Sequence, residues 1–122
     1  MALKRALRLR LKGTYTAAGL ATLYSDFIPE GQLWCIQRLV VEGNLATSGG
    51  NTRCRVLIDG HGYKHHLAEQ DAPSADTLYW IQDPFWLVPR ERIAIEWDQA
   101  QANTTLEAFG TGYWVPEAEG MM

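Results

Sequence analysis

Leu33-Trp34-Cys35-Ile36-Gln37-Arg38-Leu39-Val40-Val41-Glu42 is the stretch that decides the fold class. Its apolar residues fall on both parities, at Leu33, Trp34, Ile36, Leu39, Val40 and Val41. A strand with one wet face alternates apolar and polar residues, so an apolar run on both parities is expected at the centre of a sheet, covered on both sides. Ile28-Pro29-Glu30-Gly31-Gln32 reads as the turn leading in, and residues 43–52, GNLATSGGNT, as a hairpin loop leading out.

Outward from this run the alternation continues. Arg53-Cys54-Arg55-Val56-Leu57-Ile58-Asp59 places Cys54, Val56 and Ile58 inward, and Gly60-His61-Gly62 turns the chain. Tyr63 to Leu67 reads as a short strand and residues 68–76, AEQDAPSAD, as an exposed acidic loop. Further strands are expected over Thr77–Ile81, Phe85–Val88, Arg92–Trp97, Thr104–Phe109 and Thr111–Val115. In Arg92–Trp97, Ile93, Ile95 and Trp97 oppose Ala94, Glu96 and Asp98. Toward the N-terminus, Leu7, Leu9 and Leu11 interleave with Arg8, Arg10 and Lys12, which predicts a half-buried strand over 6–16. A helix would place Leu9 on its polar side. Leu20 to Phe27 is loose or extended, and residues 116–122 read as a flexible tail. About eight short strands and no convincing helix predict an all-β single domain over 1–122, an antiparallel β-sandwich or jelly roll.

Length and composition agree. At 122 residues, with 47% hydrophobic and 20% charged residues, one domain that buries about two-thirds of its unfolded surface is expected. No apolar run approaches the roughly 18 residues of a membrane span. MALKRALRLRLK breaks its leucines with charges, so no secretory signal is indicated. Cys35 and Cys54 sit in strands among apolar residues and read as buried free thiols, the alternative being a disulfide if their two strands are neighbours in register. The net charge of −3 hides an asymmetry: residues 1–61 hold eight Lys/Arg and four Asp/Glu, residues 62–122 three and ten. Either strands of the two halves pair and their charges meet, or the basic N-terminal element engages an acidic surface elsewhere. Nucleic acid is the weaker candidate, because the basic residues beyond the first dozen are scattered.

Catalytic arrangements are not evident. Asp59, His61, His65 and His66 are the only cluster with metal-ligand chemistry, but glycines flank His61 and neighbouring strand residues His65 and His66 face opposite ways. They read as surface groups. Ser25, Ser48 and Ser74 lack a nucleophile-elbow context. Ser48-Gly49-Gly50-Asn51 lacks the lysine and helix of a phosphate loop. Glu96 and Asp98 share one strand face without the mass of a walled cleft around them. A non-enzymatic protein without cofactor or metal is expected.

The aromatic residues are the stronger signal. Five tryptophans include Trp80 beside Tyr79 and Trp86 beside Phe85. Strand neighbours face opposite sides, so one member of each pair should emerge on an outer face. That makes Tyr79, Trp80, Phe85 and Trp86 candidates for self-association or docking.

Pro29-Glu30-Gly31-Gln32-Leu33-Trp34-Cys35-Ile36, Phe85-Trp86-Leu87-Val88-Pro89-Arg90-Glu91-Arg92-Ile93 and Thr104-Thr105-Leu106-Glu107-Ala108-Phe109-Gly110 together resemble small structural proteins of tailed bacteriophages. The resemblance covers residues 28–112 and consists of strand and turn patterns. It implies a virion component, most like a capsid decoration (cement) protein that is made in the host cytoplasm and sits as a homotrimer on the major capsid protein. Lys4, Arg5, Arg8, Arg10 and Lys12 are then the expected capsid contact, and Tyr79, Trp80, Phe85 and Trp86 the expected oligomer interface. The alternatives are a tail, baseplate or fibre-associated module binding host glycan on Trp80 or Trp86, and a ring-forming head–tail joining protein.

Overall fold

The computed structural model describes residues 4–45 and 52–117, which form nine antiparallel strands. They are β1 (Arg5–Tyr15), β2 (Gly19–Tyr24), β3 (Gln32–Gly43), β4 (Arg53–Gly60), β5 (Tyr63–Asp71), β6 (Tyr79–Ile81), β7 (Phe85–Leu87), β8 (Arg92–Ala100) and β9 (Thr104–Pro116). Their pairing is nested. β4 pairs β5, β3 pairs β6 and β7, β2 pairs β8, and β1 pairs β9. The chain is therefore one long hairpin, and the pairings of β3 with β9 and β4 with β8 roll it up. The result is a jelly-roll β-sandwich. Its first sheet, A, runs β1-β9-β3 with β6 and β7 sharing the far edge; its second, B, runs β2-β8-β4-β5.

The core lies between the inner faces. Ile36, Leu39 and Val41 of β3 and Leu106 and Ala108 of β9 meet Cys54, Val56, Ile58, Ile93, Ile95 and Trp97 of sheet B. This alternation follows the sequence pattern. Leu7, Leu9 and Leu11 point inward from β1 and remain half-buried because β1 is an edge strand.

Four expectations are corrected. Residues 43–52 are not a hairpin loop, since β3 and β4 belong to different sheets. Turn composition marks a change of direction, whereas the partner of each strand is chosen by the wrapping of the whole chain. Residues 46–51 lie outside the described residues, Ser48 among them. Residues 68–71 continue β5 rather than forming a loop, because Arg53 and Arg55 of β4 hold Glu69 and Asp71 at 2.9–3.5 Å. The two C-terminal strands are a single strand, β9, in which Gly110 fits between Leu9 and Leu39. Finally, Pro116 closes β9 and the Glu117 N–H donates to the Gly31 carbonyl at 2.8 Å, so neither belongs to a tail. Residues 1–3 and 118–122 are outside the described residues.

The charges of the two halves meet chiefly on sheet B. Its outer face is a ladder of opposite charges: Arg53 with Glu69 and Asp71, Arg55 with Glu69 and Asp98, Lys64 with Glu96, and Arg92 with Asp59. Hydrogen bonding to Arg55 holds the Glu69 carboxyl below its ordinary range. Among the described residues, no helix is long and apolar enough to cross a membrane.

Candidate functional site: an aromatic and basic sheet face

The outer face of sheet A differs in kind from that of sheet B. Strand alternation and register arrange its side chains in rows that cross the sheet from the β6–β7 edge to β1. One row holds Trp86, Cys35, Tyr113 and Ala6. The next holds Arg38, Thr111 and Arg8; the third Trp80, Val40, Phe109 and Arg10; the fourth Glu42, Glu107 and Lys12. With strands about 4.8 Å apart, Arg8 and Arg38 arise roughly 10 Å from each other, between two rows of aromatic groups.

Trp80 and Trp86 stand out from this face, 59% and 48% exposed. Their neighbours Tyr79 and Phe85 turn inward on the opposite parity and are part-buried. Trp86 meets Tyr113 edge to face, with centroids 5.8 Å apart, and Cys35 is buried in the same row. Hydrogen bonding with the Cys35 thiol raises the Tyr113 phenol above its ordinary pKa. Cys54 is buried on the inner face of sheet B, where burial pushes its thiol up to about 12. Both cysteines are free.

The five basic residues of the N-terminal stretch do not act alike. Arg8, Arg10 and Lys12 are exposed on the outer face. Arg10 lies 5.8 Å from the Phe109 ring centre and 3.6 Å from Glu107, which Lys12 also approaches at 3.9 Å. Lys4 sits over Tyr113 at 4.6 Å. Arg5 belongs to the other parity and lies over Trp114 at 5.4 Å. Arg8 and Arg38 meet no carboxylate among the described residues.

The structure thus brings the basic strand and the two exposed tryptophans onto one face, at its opposite edges. Tyr79, Phe85 and Arg5 are not part of that face. Sequence reasoning missed Arg38, Phe109 and Tyr113. Arg38 was legible as the one charge within an apolar run, but only the pairing of β3 with β9 and of β9 with β1 puts it in the row of Arg8.

Of the other groups considered for chemistry, Asp59 and Ser25 are engaged in the scaffold. Asp59 accepts from Arg92 Nε at 2.8 Å, and Arg92 packs against the rings of Tyr24 and Phe27. His61, His65 and His66 are exposed, and the described residues contain no cluster suited to hold a metal ion. Ser25 is buried and its hydroxyl oxygen accepts from the Ile93 N–H at 2.9 Å, bridging β2 to β8.

The fold and this face define a jelly-roll β-sandwich that carries an exposed aromatic and basic surface on one sheet. No protein-family model matches the chain, and no curated protein does. Among solved structures, one described as "CBM4 structure and function" is similar at a TM-score of 0.40 and 11% identity, over 90% of this chain and 84% of that one. Structures of infectious bursal disease virus are similar at 0.30 for the Gt strain and 0.29 for the Gx strain, with 12% and 11% identity. This chain covers 43% and 42% of those viral chains, less than half of their length.

Proposed function

We propose that the protein is a non-enzymatic virion component of the capsid-decoration type, docking on the major capsid protein through the outer face of sheet A. The observation that carries this reading is that one face holds both exposed tryptophans together with Arg8 and Arg38, which meet no carboxylate among the described residues, in a chain whose net charge is −3. Aromatic groups and arginine are the side chains that contribute most at protein interfaces, while a basic field steers an acidic partner. Such a protein stabilises a lattice by adding buried interface and needs no reaction. A homotrimer is the assembly this reading expects.

The test is co-sedimentation with the phage capsid, followed by electron microscopy of the decorated particle. Trp80→Ala and Trp86→Ala should each weaken capsid binding by roughly 30-fold, the order expected of a tryptophan hot spot. Arg8→Glu with Arg38→Glu should abolish binding at low salt. Unchanged capsid binding in all three variants refutes the docking face. The exposed tryptophans also support a second reading, a module that stacks host glycan on Trp80 or Trp86. Retention on a glycan array that disappears in Trp86→Ala, with no capsid binding, would establish that reading instead.

A further inference from the structure

Among the described residues, β1 is paired on one side only. β9 occupies one edge, and along the other an eleven-residue strand presents its outward backbone N–H and C=O groups without a strand partner among those residues. Its inward leucines, Leu7, Leu9 and Leu11, touch the core but are only half-buried. Among the described residues, its outward Arg8, Arg10 and Lys12 have a single carboxylate between them, Glu107, which approaches Arg10 and Lys12 but not Arg8.

We propose that the free edge of β1 is a strand-addition site for an extended segment of a partner protein in which acidic and apolar residues alternate. This deepens the docking reading above and rests on it: β1 borders the same face, and the partner's segment would extend sheet A by one strand.

Each feature of the edge specifies a property of the segment. Backbone groups supply register-independent hydrogen bonds. Because successive residues of an added strand alternate between faces, residues opposite Leu7, Leu9 and Leu11 are apolar and complete the burial of those leucines. Residues opposite Arg8, Arg10 and Lys12 are acidic and neutralise the uncompensated charge. A second copy of this chain is the wrong partner, since two antiparallel β1 edges would set Arg8 and Arg10 against their own kind. The other edges do not fit the same segment. β6 and β7 have three residues each, and Gln82-Asp83-Pro84 separates them. β2 has six residues, and β5 mixes Lys64 with Glu69 and Asp71, which are already paired.

The experiment uses the full chain and a synthetic peptide of eight residues in which valine and glutamate alternate. Two controls accompany it: the same peptide N-methylated at alternate backbone amides, and a peptide of the same composition with its glutamates in one block. Saturable binding of the alternating peptide is expected in calorimetry, with slowed hydrogen exchange in β1. Binding should weaken at least tenfold for either control and at least tenfold for Arg8→Glu with Arg10→Glu. Equal binding of the N-methylated peptide, or no binding of the alternating one, overturns strand addition. Capsid co-sedimentation that persists in that case leaves the docking reading standing, and its loss in the Trp80 and Arg8/Arg38 variants is read separately.

Discussion

Gly112 offers a sharp test of how sheet A is held together. It lies on β9 between Leu7 of β1 and Ile36 of β3, beside the register shift between Ile36 and Arg38. A methyl group at this position would overlap the Cys35 carbonyl oxygen, and would lie 3.0 Å from the Cys35 carbonyl carbon and 3.1 Å from Ile36 Cα. All three obstacles are backbone, so no side chain can swing away and β3 must separate from β9. Opening the sheet there strains about two ladder hydrogen bonds, each worth about 1 kcal/mol net and about 1–3 kcal/mol when a buried group is left unpaired. It also loosens the packing of Leu33, Cys35 and Val115, all buried beside the break. Gly112→Ala should therefore cost about 3–5 kcal/mol, a large share of the roughly 5–15 kcal/mol typical of a domain. Two residues away on the same strand, Gly110→Ala would place its methyl 3.4 Å from Leu9 and 3.5 Å from Leu39, ordinary packing distances. Its effect should remain within about 1 kcal/mol, since lost chain entropy in the unfolded state offsets slight crowding. Urea unfolding followed by tryptophan fluorescence measures both variants. If Gly112→Ala unfolds within 1 kcal/mol of the parent, or the two alanines cost the same, the close approach of β9 to β3 at Cys35 is wrong.

Two further outcomes follow from the core. Trp97 is fully buried and its indole Nε1 has no hydrogen-bond partner among the described residues, an orphaned donor of the kind that costs about 1–3 kcal/mol. Trp97→Phe removes the orphan with part of the ring, so its urea midpoint should stay near the parent's, whereas Trp97→Ala should lose about 3–5 kcal/mol. The Cys54 thiol is held neutral by burial, with its pKa raised from 9.0 to about 12. The unfolded chain ionises first, so the stability contributed by this group is complete below pH 9 and is lost as pH climbs from 9 toward 12. Comparing unfolding at pH 8 and pH 10.5 should show a steeper loss in the parent than in Cys54→Ala, and an equal slope in both would contradict the burial of this thiol.

Half of the candidate face was legible from residue order. The alternation of Leu7, Leu9 and Leu11 with Arg8, Arg10 and Lys12 assigns faces to β1 without knowledge of its partner, because the side-chain period of a strand is two. The adjacent pairs Tyr79-Trp80 and Phe85-Trp86 likewise imply that one ring of each stands outside. Which sheet they stand on was not legible. Trp80 and Arg10 are 70 positions apart and share a row only because β6 pairs Val40, Val40 pairs Phe109 and Phe109 pairs Arg10.

Local physical chemistry therefore determined the class of structure: strands rather than helices, inward and outward faces, two buried thiols and a charge divided between the halves of the chain. Those properties depend on side-chain periodicity and turn residues, which act over a few positions. The partner of each strand, the placement of β3 and β4 in different sheets, and the meeting of a basic edge with two tryptophans were decided by the rolled hairpin. Pairing is set by burial summed over both sheets, so no single strand records it. The same accounting explains the charge asymmetry noted at the outset. On sheet B, Arg53 and Arg55 meet acids of the second half in paired ladders, whereas sheet A leaves Arg8 and Arg38 without a carboxylate among the described residues, on the face where the aromatic rings emerge.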